Sequence, residues 1–133
     1  MENKSKKILS EISAGELLDK ISILEIKLEK INNIEAKAQI QKEYDTLKHT
    51  LNSSIKLDEK IKDLFNSLKE TNIKLWNIED SIRLCEKNKD FSDKFVKLAT
   101  DVYLNNDERS KIKSDINKLL KSNIVEVKQY VNY

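Results

Sequence analysis

The chain has 133 residues, with 25 basic side chains against 23 acidic ones, for a formal net charge of +2. That is room for one domain with a modest core, and the near-cancelled charge leaves no whole-molecule field to attract nucleic acid or an anionic membrane. One glycine and no proline, where ordinary chains carry roughly 12 per cent of the two together, exclude hairpin-rich sheets, the phosphate-cradling loop and the three-glycine dinucleotide fingerprint.

Helix one opens at Ser13-Ala14-Gly15-Glu16, a capping box in which Ser13 caps and Glu16 reaches back, with Ile12 and Leu17 as the hydrophobic staple. Leu17, Ile21, Leu24, Leu28 and Ile31 follow at spacings of four and three, one stripe of a helix over about residues 14–31. Asn32-Asn33 breaks the pattern, and Ile40, Tyr44, Leu47 and Leu51 resume it, which predicts helix two over 34–51. After Asn52-Ser53-Ser54, the run Leu57, Ile61, Leu64, Leu68, Leu75, Ile78, Ile82, Cys85 predicts a third helix, long and central, of about 45 Å. Asn88-Lys89-Asp90 closes it. Asp90 or Ser92 can cap a short fourth helix carrying Phe91, Phe95, Leu98 and Val102. Asn105-Asn106-Asp107 reads as a turn, since Asn and Asp accept left-handed backbone angles in place of glycine, and Ile112, Ile116 and Leu119 mark a fifth helix. Beyond Lys121-Ser122-Asn123, the residues Ile124, Val125, Val127, Tyr130 and Val131 hold no helical stripe and predict an irregular tail docked by its aromatics.

The expected fold is therefore all-α, an antiparallel bundle of about five helices, with a flexible segment over 1–12 and one helical domain over 13–133. The seams are narrow, nearer two apolar residues per seven than the wider face of a globular helix, and so favour homodimerisation. Neither Met1–Ser13 nor any later stretch is apolar enough for a signal peptide or a membrane span. The cytoplasm is the default location. Cys85 and His49 are each alone of their kind, too few for a zinc site of the usual type; the cysteine reads as a reduced core residue and the histidine as a surface one. Lys4, Lys6 and Lys7 make a basic end too short to argue for nucleic-acid binding.

Lys, Ile and Asn are abundant while arginine occurs twice, as expected of an AT-rich coding sequence that pushes arginine codons toward lysine. Arg83, Arg109, Trp76 and Gly15 stand out against that background, because lysine cannot reproduce the planar donor fork of a guanidinium. Trp76, Glu79, Asp80, Arg83 and Glu86 share one helix face beside the Leu75/Ile78/Ile82 seam. They make either a pocket wall or, for Glu79 and Arg83, an ordinary intrahelical pair. Glu16, Asp19 and Lys20 form a second group. Packed beside the third helix, Glu16, Asp19, Glu79 and Asp80 could converge on a divalent ion, although acids in a first turn also complement the helix dipole. Tyr103, Asn105, Asn106, Asp107 and Arg109 form a third group, readable as an anion site at a helix start or as a plain Asp107 cap.

Three segments, Gly15-Glu16-Leu17-Leu18-Asp19-Lys20-Ile21-Ser22-Ile23-Leu24-Glu25, Leu75-Trp76-Asn77-Ile78-Glu79-Asp80-Ser81-Ile82-Arg83 and Val102-Tyr103-Leu104-Asn105-Asn106-Asp107-Glu108-Arg109, resemble a small all-helical family from bacteria and viruses, known as a domain of unknown function. The resemblance spans nearly everything after Ile8 and implies no particular activity or cofactor. The functional expectation is a binding or assembly module. Its ligand-binding face comprises Glu16, Asp19, Lys20, Trp76, Glu79, Asp80, Arg83, Tyr103, Asn106 and Arg109, and receives a protein partner or small anionic ligand. The alternative is a magnesium-dependent all-α enzyme, similar to nucleotide pyrophosphatases, that uses the acidic cluster.

Overall fold

A computed structural model describes residues 6–132. Lys4, the first part of the 1–12 segment and the last residue of the tail lie outside the described residues. Four helices are present, α1 (Ala14–Lys30), α2 (Ile34–Ser54), α3 (Glu59–Lys87) and α4 (Asp93–Leu119), and there is no strand among the described residues. Residues 6–12 are exposed and non-helical, and residues 120–132 form the irregular tail that the sequence predicts.

The centre of the fold is α1, not the long α3. α1 packs against each of the other three helices, while α3 and α4 also pack on each other. This explains why its buried set, Leu17, Leu18, Asp19, Ile21, Ser22, Leu24 and Ile26, runs around the helix instead of forming one stripe. The core joins Leu17, Leu18 and Ile21 to Leu51 of α2, Ile61 and Leu68 of α3, and Ile112 and Ile116 of α4. α2 contributes only Leu51 to the fully buried set and is otherwise an amphipathic cover.

Five predicted helices become four because α4 runs unbroken for 27 residues. Asn105 does not turn the chain: its Nδ2 donates to the Asp101 carbonyl at 2.9 Å, one turn back, so the side chain sits along the helix wall. The propensity cost of Asn and Asp is at most about 0.7 kcal/mol each, less than the packing of α4 on α3 and α1 supplies. The break after α2 also moves. Ser53 Oγ donates to the His49 carbonyl at 2.9 Å inside the helix, α2 continues to Ser54, and Asp58 caps α3 by accepting the Ile61 amide at 2.9 Å. At 29 residues, α3 is about 44 Å long.

Both long helices end without glycine. Lys89 and Lys121 adopt φ of 54° and 52°. In each case the next amide reaches back to the third-last helical carbonyl, Asp90 to Cys85 and Ser122 to Asn117, both at 2.8 Å. These are Schellman closures with lysine in the position glycine usually takes. The single glycine is used elsewhere. A Cβ at Gly15 would lie 2.6 Å from the Lys113 carbonyl oxygen and 3.0 Å from Asn117 Oδ1, so a bare Cα lets the start of α1 approach the backbone of α4. There Asn117 Oδ1 accepts the Gly15 amide at 2.7 Å, Ser122 Oγ accepts that of Ala14 at 3.0 Å, and Ser13 Oγ accepts that of Glu16 at 3.1 Å. Three orphan donors of the first turn are thereby satisfied.

Helix propensity alone makes Gly15→Ala stabilising by about 1 kcal/mol; the close approach to α4 reverses the sign. The expected result is a loss of about 1–3 kcal/mol, read as a lower urea midpoint at unchanged slope.

Candidate functional site

Polar residues penetrate the bundle along the seam between α1, α3 and α4. Asp19, with 1% of its surface exposed, is the most deeply buried of the charged ones. Arg109 of α4 grips it with two nitrogens: Nε donates to Oδ1 at 2.9 Å and Nη2 to Oδ2, in a bidentate pair. Asn72 of α3 closes the other side, its Nδ2 donating to Asp19 Oδ1 at 2.9 Å and to Ser22 Oγ at 2.8 Å, while the Ser22 hydroxyl donates to the Asp19 carbonyl at 2.8 Å. No buried side-chain nitrogen or oxygen among the described residues lacks a partner, as a charge buried this deeply requires. The hydrogen bonds to Asp19 hold the Arg109 guanidinium above the ordinary arginine pKa, against the opposing effect of burial.

A turn toward the start of α1, Lys113 continues the network. Its Nζ donates to Glu16 at 2.7 Å and to Glu126 of the tail at 3.1 Å, and lies 3.8 Å from Asp19. Burial lowers the ammonium's affinity for its proton, but the bonds to Glu16 and Glu126 and the charge of Asp19 outweigh it, so the pKa is raised. Glu16 therefore turns to Lys113, and to Lys20 at 3.7 Å, instead of completing a reciprocal capping box. On the far side of α1, Glu25 accepts from Tyr44 of α2 at 3.0 Å and from Lys69 of α3 at 3.1 Å, linking the other two helices to the same core element.

Above the Asp19 pair lies a cavity of about 520 Å³. Its deep surface is Ile26, Asn72 and Leu75, all buried. Trp76 and Arg109 form half-buried walls, and Ile23, Asn106, Glu79, Asp80 and Arg83 complete the lining. Seven of the ten residues expected from the sequence meet here or at its floor: Trp76, Glu79, Asp80, Arg83, Asn106 and Arg109 all line one space, and Asp19 lies beneath it. The other three do not join them. Glu16 and Lys20 belong to the Lys113 network, and Tyr103, an exposed residue of α4, is not part of the lining.

The expected convergence of Glu16, Asp19, Glu79 and Asp80 is also corrected. Asp19 is held by Arg109, Glu16 by Lys113, and Glu79 by Arg83 at 3.2 Å. Among the described residues no three acidic, imidazole or thiol side chains are grouped as a metal site. The Arg83–Glu79 pair is the ordinary i,i+4 kind, with Arg83 72% exposed. Asp107 does not cap a helix, because it lies inside α4. Cys85 is buried and His49 exposed, as read from the sequence.

Asn72, Ser22, Lys113 and Glu126 are functional neighbours that the sequence reading passed over. A signal existed for Asn72: it falls between Leu68 and Leu75 at spacings of four and three, a polar residue in the core register.

A small all-α domain organised around a polar seam is thus the class the fold defines. The chain belongs to the family of unknown function DUF6165, which it matches over residues 8–133. No curated protein and no solved structure matches it. No helix among the described residues is long and apolar enough to cross a membrane.

The tail contact to Lys113 is pH-sensitive. The hydrogen bond from Lys113, aided by Lys128, holds the Glu126 carboxyl below the ordinary 4.5, against a smaller effect of burial. A depressed folded pKa contributes stability that is present above the unfolded value and lost as pH falls through the folded one. Between about pH 5 and 3 the native chain should lose more stability than Glu126→Gln does, measured by denaturant midpoints across that range.

Proposed function

We propose that this chain is a small-ligand binding module whose cavity between α1, α3 and α4 takes an anionic group on the Arg109 guanidinium and an apolar or planar body against Trp76. One observation supports this above the rest. Arg109 lines the cavity with Nε and Nη2 committed to Asp19, and Nη1 keeps only a 3.5 Å contact with Asn106 Oδ1. The buried carboxylate therefore fixes the plane of the fork, and a carboxylate or phosphate oxygen meets a donor whose orientation is already set. Trp76, Ile23, Ile26 and Leu75 supply apolar surface beside it, in the mix of mostly apolar lining and few aimed polar groups that ligand sites use. The magnesium-dependent alternative is not adopted, because its four acids sit on separate cations or apart.

Self-association with a second copy is a further reading, favoured by the outer half of the α3–α4 hairpin. No residue of α4 before Ile112 is buried, and Leu84, Phe91, Val96, Tyr103 and Leu104 are exposed there. Both signs of charge, Glu86, Lys87, Lys94 and Lys97, lie on the same arm, which suits an isologous pairing of like surfaces. Sedimentation should show a mass that rises toward the dimer with concentration and stays monomeric in Leu104→Glu; a monomer at every concentration would remove this reading.

Trp76 is the sole tryptophan, so its fluorescence reports on the cavity directly. Titration with 3-phenylpropionate and with phenyl phosphate is expected to give a saturable change for at least one of them, weakened at least about tenfold in Arg109→Lys, since lysine offers no rigid fork. Absence of any saturable change, or equal affinity in the variant, would contradict the proposal.

A further inference from the structure

The orientation of the Asn72 amide is fixed by its neighbours. Ser22 spends its only hydrogen on the Asp19 carbonyl, so its oxygen can only accept, and the ionised Asp19 carboxylate can only accept as well. Both need the Nδ2 side of Asn72. Its Oδ1 is therefore turned away from them, and it makes no hydrogen bond within the described protein. Since no buried side-chain oxygen there lacks a partner, this one is open to solvent, and Asn72, 6% exposed, lines the cavity. The deep end thus offers two opposite functions side by side, a guanidinium donor on Arg109 and an amide acceptor on Asn72.

The charge of the lining points the same way. Arg109 is neutralised by Asp19 beneath it, Arg83 by Glu79, and Asp80 has no ion-pair partner among the described residues. A bare anion would meet a wall carrying one uncompensated negative charge. A ligand that brings a cation with its anion would satisfy that charge, and the Trp76 face adds attraction for an ammonium group.

Resting on the anion-binding reading above, we propose that the ligand is a zwitterion, an α-amino acid with an apolar or aromatic side chain. Its carboxylate lies on Arg109 and its ammonium on Asn72 Oδ1, with the Asp80 carboxylate two turns further along α3 supplying the compensating negative charge across the cavity, and its side chain rests against Trp76, Ile26 and Leu75. The neutral pair of charges on the ligand matches the mixed pair on the protein, and binding one without the other leaves an acceptor or a donor dry.

Three probes with one carbon skeleton test this on the full chain, again by Trp76 fluorescence: phenylalanine, 3-phenylpropionate, which lacks the ammonium, and 2-phenylethylamine, which lacks the carboxylate. Phenylalanine should bind at least about tenfold more tightly than either, because each analogue leaves a buried or charged partner unpaired. Asp80→Asn, at an exposed position where the fold is indifferent, should weaken phenylalanine roughly fivefold and leave 3-phenylpropionate unchanged or slightly tighter, with an unaltered melting temperature as the check on folding. If 3-phenylpropionate binds as well as phenylalanine and Asp80→Asn changes neither, the zwitterion proposal is overturned while the anion site stands. If none of the three produces a saturable change, the zwitterion proposal falls, and the anion site falls with it when phenyl phosphate is silent as well.

Discussion

A carboxylate with almost no exposure stands among the buried leucines and isoleucines of α1, and the rest of the molecule is arranged to accommodate it. Asp19 needs a cation and further donors to be buried at all. It receives Arg109 from α4 and Asn72 from α3, with Ser22 of its own helix bridging to Asn72. Once these three partners are in place, α1 cannot slide along α4 by a turn without stranding a charge. The bidentate pair thus sets the register in which Gly15 meets the Lys113 carbonyl and Leu17, Ile21, Ile112 and Ile116 meet in the core. A buried ion pair is no more stabilising than a well-packed apolar replacement, so its contribution here is to specify one packing among several apolar alternatives.

The same constraint reaches the cavity. A long arginine on a helix surface samples many rotamers and gives up that freedom when it binds something. Arg109 has already given it up to Asp19, so its remaining donors are presented in a fixed plane beside Trp76 and Asn106. The Lys113 cluster acts at the other end of the seam: it ties Glu16, near the start of α1, to Glu126 in the tail, which gives an irregular segment with few apolar contacts a place to dock.

Much of the fold was legible in the residues themselves. Ser13 announced a helix start and Asn32-Asn33 a break, the four-and-three spacing traced α1 and α2 closely, and a chain with one glycine had few alternatives to helices. What stayed hidden depends on partners distant in sequence. Asn105-Asn106-Asp107 has the chemistry of a turn, and only packing against α3 and the reach of Arg109 to a residue 90 positions away hold it helical. The site was legible in part for the same reason. Trp76, Glu79, Asp80 and Arg83 share a helix face and so appear together in the sequence, and Asn106 and Arg109 are a turn apart. That these two faces meet over Asp19 is tertiary information. Asp19 itself could be recognised as special only by its position among Leu17, Leu18 and Ile21, and Asn72 only by standing in a leucine register, signals that a dipole-complementing acid and a surface amide mimic.

The pairing of Asp19 with Arg109 is tested most directly by a double-mutant cycle in chemical denaturation, with Asp19→Asn, Arg109→Gln and the two combined. Each single change should cost about 3–5 kcal/mol, because it leaves the other group charged and unpaired. The double variant should be less damaged than the sum of the two by about 2 kcal/mol or more. Two small and strictly additive losses would contradict the claim that this pair sets the register of the helices and the geometry of the cavity.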